Sequence, residues 1–199
     1  YVERLFDGYA WKFDTSLLGK LDYRIPKSLS EIIITQKTNA SLGKVLDLGC
    51  GTGLLGVELK QYCQSLEGID LSKLMLHQAQ KKNVYDQLHY YEVIEYLSEK
   101  SLNFDYFVCA DVLIYIGDLS DTFRLIKSRN SRNGKFIFST EHIEGTGYFL
   151  EKTGRYSHSK SYIESLCYEF DYQLSYFTKT KLRKERGEFL TGAIYSLNF

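Results

Sequence analysis

The residues best suited to chemistry lie in the stretch 44–56, where alternating glycines follow a short apolar run. Residues 45–48 are typical of a buried strand, and a helical pattern begins at Leu54. The turn between them, which we call the glycine loop, is residues 49–53 with Gly49, Gly51 and Gly53. Such glycines allow a sharp bend and let a ligand approach the main chain closely. Asp47 precedes the loop, and its carboxylate suits a ligand that carries an amine or sulfonium cation.

A second class of ligand fits the same stretch. Residues 51–56 match the pattern G-x-G-x-x-G, and Asp70 lies about 20 residues further on, as in dinucleotide-binding folds. This pattern keeps an NAD-binding oxidoreductase open as an alternative. Asp47 argues against it, because a carboxylate beside the loop disfavours a pyrophosphate. A third alternative is a turn that only packs a helix against the sheet.

Composition and charge argue against several other classes. The chain has 199 residues, with 25 Lys+Arg and 25 Asp+Glu, so its charge gives no general attraction to nucleic acid or anionic membranes. Its four cysteines contain no C-x-x-C pair, and we expect reduced thiols and no metal site: Cys50, Cys63, Cys109 and Cys167. No apolar run reaches membrane-spanning length, and no signal peptide is visible. We expect a cytoplasmic protein, and the first residue, Tyr1, suggests a fragment of a longer chain.

The order of the predicted elements indicates an α/β fold. Five strands are predicted at 45–48, 65–70, 88–93, 104–110 and 135–139. Helices alternate with them, which predicts a parallel, doubly wound, Rossmann-like sheet. Two further strands, at 172–182 and 189–199, have no helix between them and predict a C-terminal antiparallel hairpin. We expect a single domain over residues 1–199, with a helical cover at about 1–40.

The glycine loop resembles a known motif. Asp47-Leu-Gly49-Cys-Gly51-Thr-Gly53 is similar to motif I of class I S-adenosylmethionine-dependent methyltransferases. A hairpin after five parallel strands is also a feature of that fold. Further stretches resemble bacterial predicted methyltransferases that often carry tetratricopeptide repeats upstream: residues 7–10, 13–14, 49–56, 111–118, 138–141 and 154–158. The resemblance implies methyl transfer from S-adenosylmethionine, with S-adenosylhomocysteine as product, and places any repeat region outside this chain.

The resemblance assigns the methionine half of the cofactor to the glycine loop. The residues implied there are Asp47, Gly49, Cys50, Gly51 and Gly53. Asp70, at the carboxyl end of the second predicted strand, would accept the two ribose hydroxyls. Its alternative role is that of an acidic residue at a helix N-terminus.

The remaining cofactor contacts follow the next predicted elements. Leu71 and Met75 would flank the adenine ring, unless they are ordinary core residues. Glu92 and Val93 are predicted to end the third strand and to hold the adenine edge, with a surface glutamate as the alternative. Asp111 and Val112 follow the fourth strand and would face the sulfonium and the acceptor. The alternative for Asp111 is a helix cap.

Four residues are candidates for the acceptor side: Tyr9, His142, Arg155 and His158. His142, predicted with Glu141 after the fifth strand, could take a proton from the acceptor. Arg155 suits a carboxylate or phosphate. The alternatives are structural histidines and a loop that is anchored by its own hydrogen bonds.

Three functional hypotheses follow. The first is a methyltransferase that acts on a small molecule, or alternatively on a protein side chain. The second is the NAD-binding oxidoreductase, and the third is a catalytically silent cofactor-binding module. The basic residues around 179–186 alternate with acids and favour a solvated surface over a nucleic-acid interface. We therefore expect neither a nucleic-acid nor a membrane partner.

Overall fold

The computed structural model describes residues 6–8, 23–37, 39–185 and 188–199. Within the predicted cover at 1–40, residues 6–8 are helical and a longer helix runs through Ile25–Thr35. Tyr9 lies outside the described residues, so its predicted role at the acceptor side stays a prediction.

The described strands form one sheet. They are β1 (Lys44–Leu48), β2 (Ser65–Asp70), β3 (Gln87–Tyr90), β4 (Tyr106–Cys109), β5 (Lys135–Ile143), β6 (Tyr148–Leu150), β7 (Tyr156–Ser159), β8 (Gln173–Glu185) and β9 (Glu188–Asn198). The order is β3-β2-β1-β4-β5-β7-β6, and β9 joins β5 to β8. Strands β1 to β5 are parallel, whereas β9 is antiparallel to both β5 and β8. This confirms the Rossmann-like sheet and the C-terminal hairpin.

Six longer helices connect or flank these strands in the described part of the chain. They are α1 (Ile25–Thr35), α2 (Leu54–Leu59), α3 (Lys73–Lys82), α4 (Val93–Glu99), α5 (Ser120–Arg129) and α6 (Lys160–Phe170). Short 3₁₀ turns follow at Lys60–Tyr62 and Leu113–Tyr115. The helix starts are set by capping: Ser72 accepts a hydrogen bond from the Met75 amide, and Ser159 accepts one from the Tyr162 amide. None of the helices described is long and apolar enough to cross a membrane.

The structure corrects three predicted boundaries. Strand β5 continues to Ile143, because β9 pairs with it over residues 135–141 and β7 pairs with it over 141–143. Glu141 and His142 therefore lie within the strand, not after it. Strand β3 ends at Tyr90, so Glu92 and Val93 fall at the start of α4. The predicted loop around 153–158 is instead the turn and second strand of an additional hairpin, β6–β7.

The sheet separates two apolar layers, and alternate side chains of each strand enter one layer or the other. In β5, Phe136 and Phe138 enter the layer that contains α5 and α6, whereas Ile137 enters the layer that contains α1 and α2. Phe123 of α5 is fully buried, and its ring meets those of Phe136, Phe138 and Tyr172 at centroid distances of 5.2–5.8 Å. This aromatic cluster packs against one face of β5.

We predict that Phe123→Ala lowers the free energy of unfolding by about 3–5 kcal/mol, because it leaves a cavity inside this cluster. Urea denaturation followed by circular dichroism measures the change. Tyr168→Ala is the matched control, since Tyr168 lies on α6 with 93% of its surface exposed. An equal loss in both variants would contradict the packing role of Phe123.

Candidate active site

The glycine loop leaves β1 at the carboxyl edge of the sheet and adopts backbone angles that favour glycine. Gly49 and Gly51 have φ angles of 67° and 54°. A Cβ atom at Gly49 would lie 2.3 Å from Cγ2 of Val112, so this turn packs tightly against the segment after β4. A Cβ at Gly51 would have no neighbour within 4 Å. The loop therefore packs against Val112 at Gly49 and is open at Gly51, where a ligand can approach.

Asp70 connects this loop to the next helix. Its Oδ2 accepts a hydrogen bond from the Gly51 amide at 2.9 Å, and its Oδ1 accepts one from the Ser72 amide at 2.8 Å. Burial raises the pKa of Asp70 to about 6, against these hydrogen bonds, which lower it. The Leu71 amide also hydrogen-bonds Asp70, and a carboxylate has about four acceptor sites, so Asp70 keeps capacity to accept a hydroxyl group. The prediction that Asp70 ends β2 at the carboxyl edge is confirmed.

Asp47 lies in β1 beneath the glycine loop, with only 1% of its surface exposed. Its Oδ2 accepts a hydrogen bond from the Tyr85 hydroxyl at 2.7 Å. Burial raises the pKa of Asp47 to about 7, and the nearby Asp70 adds to this effect. The sequence analysis did not identify Tyr85, which stands in the connection before β3.

A second group of charged side chains lies at the carboxyl ends of β4 and β5. Asp111 follows β4 with a φ angle of 55°, and its Oδ1 accepts a hydrogen bond from the Ser139 hydroxyl at 2.7 Å. Its Oδ2 lies 3.5 Å from Nη1 of Arg183. Arg183 Nη2 donates to Oε1 of Glu141, and Glu141 is 6% exposed. We call Asp111, Glu141, Arg155 and Arg183 the charged cluster.

Arg155 joins this cluster from the turn before β7. Its Nε lies 3.1 Å from Oε1 of Glu141, the same oxygen that Arg183 contacts. The side chain of Arg155 is 19% exposed, compared with 8% for that of Arg183. Two cations and two carboxylates balance in charge, so the cluster has no large excess of either sign.

Tyrosines and the N-terminal residues border the charged cluster. Tyr23 donates a hydrogen bond to Asp111, and burial raises the pKa of the Tyr23 hydroxyl. The Tyr115 ring meets the ring of Phe6 at a centroid distance of 5.5 Å. Asp7 accepts a hydrogen bond from the Ser72 hydroxyl at 2.6 Å. Residues 6–8 therefore lie along the edge where the glycine loop and the charged cluster meet.

His142 does not join this cluster. It follows Glu141 directly in β5, and successive side chains of a strand point to opposite faces. Its ring lies 6.0 Å from that of Phe177, and its Nε2 lies 3.5 Å from Oε1 of Glu144. Burial lowers the pKa of His142. His142 therefore lies on the face of the sheet opposite Glu141, and its role as a base for the acceptor stays a prediction.

His158 has a structural position. It is fully buried in β7, and its Nε2 donates to the carbonyl oxygens of Ile116 and Gly117, both at 3.0 Å. Its ring stacks on Tyr162 at a centroid distance of 5.9 Å. Burial lowers the pKa of His158, so its charged form is disfavoured. The structure supports the alternative in which His158 anchors the chain after β4.

Several predicted cofactor residues have more structural roles than the sequence indicated. Met75 is fully buried, which favours its alternative as a core residue, and Leu71 is partly buried. Cys50 is 7% exposed, and burial raises the pKa of its thiol. Glu92 is exposed and caps α4 by accepting hydrogen bonds from the Ile94 and Glu95 amides. Asp111, by contrast, caps no helix, because the following 3₁₀ turn has Val112 at its N-cap without a side-chain bond.

The residues present fit an adenosine-containing cofactor better than a metal ion. The open space beside Gly51 and the remaining acceptor capacity of Asp70 suit a ligand with a hydroxyl group. Within the described ranges, no group of three His, Cys, Asp or Glu side chains is arranged to hold a metal. The four cysteines are free thiols in the structure.

Comparison with known proteins identifies the family. Residues 39–191 match the family described as methyltransferase domain. The chain belongs to this family. It is a class I S-adenosylmethionine-dependent methyltransferase domain, and the match decides against the NAD-binding oxidoreductase.

Two curated relatives are similar over part of their length. The biotin biosynthesis bifunctional protein of Saccharophagus degradans is 30% identical over 142 residues, which are 70% of this chain and 24% of that protein. The ubiquinone biosynthesis O-methyltransferase of Pasteurella multocida is 31% identical over 121 residues, which are 54% of this chain and 50% of that protein. The chain thus matches half or less of the length of these two relatives.

Solved structures share the fold at lower identity. An S-adenosylmethionine-dependent methyltransferase from Clostridium acetobutylicum superposes with a TM-score of 0.71 at 19% identity, over 98% of this chain and 99% of that one. Magnesium protoporphyrin IX methyltransferase from Synechocystis, with bound S-adenosylmethionine, has a TM-score of 0.64 at 20% identity, over 87% of this chain and 78% of that one. These likenesses show that the fold is shared.

The two buried carboxylates predict how stability depends on pH. The pKa values of Asp47 and Asp70 are about 7 and about 6 in the folded protein, and about 3.9 is normal for an unfolded chain. Between these values the folded protein holds protons that the unfolded chain has released. Their contribution to stability is therefore complete below pH of about 4 and is lost as the pH rises to about 7.

We predict that Asp47→Asn gains stability relative to the parent protein as the pH rises from 5 to 8. Each pKa unit corresponds to about 1.4 kcal/mol, and about two units separate pH 5 from the folded pKa of Asp47, so the upper limit of this gain is ~3 kcal/mol. Thermal unfolding without ligand across this range measures it. Asp121→Asn is the control, because Asp121 is an exposed carboxylate on α5. A pH-independent difference between Asp47→Asn and its parent would refute the assignment.

Proposed function

We propose that this domain methylates a small-molecule acceptor bound between the glycine loop and the charged cluster. The observation that carries the proposal is the charged cluster, in which the two arginines meet the two carboxylates at the carboxyl ends of β4 and β5. Glu141 and Arg183 are buried, and Asp111 and Arg155 are partly buried. In parallel α/β sheets ligands bind beyond these strand ends. Buried ionisable groups with perturbed pKa values are common at functional sites.

Each side of the site has its own residues. Asp70 would accept the ribose hydroxyls, Glu92 and the Val93 amide would hold the adenine edge, and Asp47 would face the methionine half. When bound, S-adenosylmethionine supplies an electrophilic methyl group on a sulfonium. The chain then has to align the acceptor with that methyl group and exclude water. Residues 6–8 support exclusion of water, since Phe6 and Asp7 contact the edge of the site.

The charged cluster constrains the acceptor. Arg155 is paired with Glu141, so an anionic acceptor has to compete with that carboxylate for the guanidinium. Glu141 lies at the same strand ends as Asp111, and Arg155 therefore stays beside the proposed acceptor site. The more exposed Arg155 would grip a carboxylate or phosphate of the acceptor, whereas the more buried Arg183 would hold Glu141 and Asp111 in place.

Proton transfer would fall to Asp111 if the acceptor must lose a proton. Burial raises the pKa of Asp111, and Arg183 opposes this rise. His142 faces the other side of the sheet, and His158 is bonded to backbone carbonyls. Compared with His142 and His158, Asp111 lies close to the glycine loop, since its neighbour Val112 packs on Gly49.

The relatives support a small molecule over a protein side chain. The names of the matched proteins refer to biosynthesis of biotin and ubiquinone and to magnesium protoporphyrin IX. A protein acceptor is the alternative. A cytoplasmic location, a bacterial source and an upstream tetratricopeptide region stay expectations from the sequence.

We predict that Asp70→Asn weakens S-adenosylhomocysteine binding at least tenfold, because a hydrogen bond to a charged group contributes about 1.5–3 kcal/mol. Asparagine keeps one acceptor for the Gly51 or Ser72 amide, whereas alanine would remove both and destabilise the free protein. Isothermal titration calorimetry measures the affinity, with NAD and NADP as ligands that should not bind. Unchanged affinity in Asp70→Asn would show that Asp70 only orders the loop.

We predict that Arg155→Ala abolishes most turnover and leaves S-adenosylhomocysteine affinity within error. The assay transfers a labelled methyl group from S-adenosylmethionine to a whole-cell extract and follows the label in the small-molecule and protein fractions of that extract. Arg155→Lys should restore little, because a point charge cannot replace a planar two-pronged donor. Arg124→Ala is the control, since Arg124 is exposed on α5.

Three outcomes of this assay would contradict the proposal. Label that appears only in protein would indicate a protein acceptor. Tight binding of S-adenosylhomocysteine without any transfer would indicate the silent module. Full activity of Arg155→Ala would remove Arg155 from the acceptor site.

A further inference from the structure

The ring of Tyr85 fills a slot that three glycines create below the glycine loop. A Cβ at Gly53 would lie 3.0 Å from its Cε2, one at Gly56 would lie 2.4 Å from its hydroxyl oxygen, and one at Gly68 would lie 2.9 Å from its Cε1. These glycines come from the loop, α2 and β2. Three separate elements therefore have a glycine where this ring lies, and a side chain at any of the three would crowd the ring. Ordinary core packing does not require three such glycines.

The slot aims the Tyr85 hydroxyl at Asp47. The hydroxyl donates to Oδ2 of Asp47 at 2.7 Å, and Asp47 is 1% exposed. The other titratable groups that face Asp47 are neutral thiols or an acid: Asp70 of β2, Cys50 of the glycine loop, Cys109 of β4 and Cys63 after the 3₁₀ turn. No cation appears among these neighbours. Within the described residues, Tyr85 is thus the neighbour whose hydrogen bond stabilises the charged form of Asp47.

We propose that Tyr85 is a positioning residue that orients the Asp47 carboxylate beneath the glycine loop and favours its ionised form for the cationic methionine half of the cofactor. The proposal rests on the proposed function, because it requires Asp47 to face that half. A buried carboxylate without this donor would exist mainly as the neutral acid at neutral pH and would attract the ammonium and sulfonium groups less.

The sign of the effect can be worked out. Burial raises the pKa of Asp47 to about 7, and the Tyr85 hydrogen bond lowers it towards that value. Removal of the hydroxyl therefore moves the titration of Asp47 to higher pH. Affinity that depends on ionised Asp47 should then appear at higher pH in Tyr85→Phe than in the parent. Phenylalanine keeps the ring in the slot, so the change isolates the hydrogen bond.

The test measures S-adenosylhomocysteine affinity by calorimetry from pH 5.5 to 8.5 in three variants and the parent. In the parent, affinity should rise with pH through about 7. Tyr85→Phe should bind about three- to tenfold more weakly at pH 7 and recover towards pH 8.5. Asp47→Asn should lack this step and keep only the step of Asp70 near pH 6.

Tyr172→Phe is the matched control. Tyr172 is also buried, and its hydroxyl donates to the Phe123 carbonyl at 2.7 Å, on α5 and not at the glycine loop. It should lose thermal stability as Tyr85→Phe does but keep the pH profile of the parent. A profile shifted equally in both variants would overturn the proposal, as would a Tyr85→Phe profile identical to that of the parent.

A measurement on the parent protein keeps the test decisive if Tyr85→Phe does not fold. Carbon-13 NMR follows the side-chain carboxyl resonances of Asp, and comparison with Asp47→Asn assigns Asp47. Saturation with S-adenosylhomocysteine should move its titration to lower pH. If S-adenosylhomocysteine binds but the titration of Asp47 does not move, the proposal is overturned, because Asp47 then does not face the cationic half of the cofactor. Absence of binding to the parent at any pH would instead contradict the proposed function itself.

Discussion

The burial of carboxylates at one edge of the sheet is the constraint on which the rest of the site depends. Asp47, Asp70, Asp111 and Glu141 all stand at or near the carboxyl ends of parallel strands. Each needs partners there, because an uncompensated buried charge is costly. Backbone amides donate hydrogen bonds to Asp70, and the Tyr85 hydroxyl donates one to Asp47. Asp111 contacts Ser139 and Arg183, and Glu141 pairs with arginines.

These partners tie the site to distant parts of the chain. The amides of Gly51 and Ser72 bring the glycine loop and the start of α3 together on one carboxylate. Arg183 comes from the C-terminal hairpin and Arg155 from the β6–β7 turn, and both meet Glu141. The fold therefore serves the site through its hydrogen bonds and ion pairs as well as through its core. The proposed cofactor side pairs two carboxylates with backbone amides and a phenol, whereas the proposed acceptor side pairs carboxylates with arginines.

The sequence predicted the elements whose signals are local. The alternating glycines and the end of β2 depend on neighbouring residues, and the structure has them in place. The end of β5 was not predictable in this way, because it extends only by pairing with β9 and β7. Because β5 includes residues 141 and 142, the side chains of Glu141 and His142 point to opposite faces of the sheet.

Arg183 and Tyr85 were missed for physical reasons of the same kind. Arg183 stands in a run of alternating charges that is typical of an exposed surface. A register shift between Lys181 and Lys184 breaks the strand alternation, and Leu182 and Arg183 are both buried there. Tyr85 lies in a short connection, and only the glycines that surround it in three dimensions reveal its slot. A fixed spacing in the sequence signals neither.

A crystal structure of the complex with S-adenosylhomocysteine tests the central claim most directly. The account predicts both ribose hydroxyls within hydrogen-bond distance, about 3 Å, of the Asp70 carboxylate. It also predicts the methionine half along the glycine loop, with the sulfur facing Asp111 and the charged cluster. A cofactor bound elsewhere, or one whose sulfur faces away from Asp111 and Glu141, would contradict it.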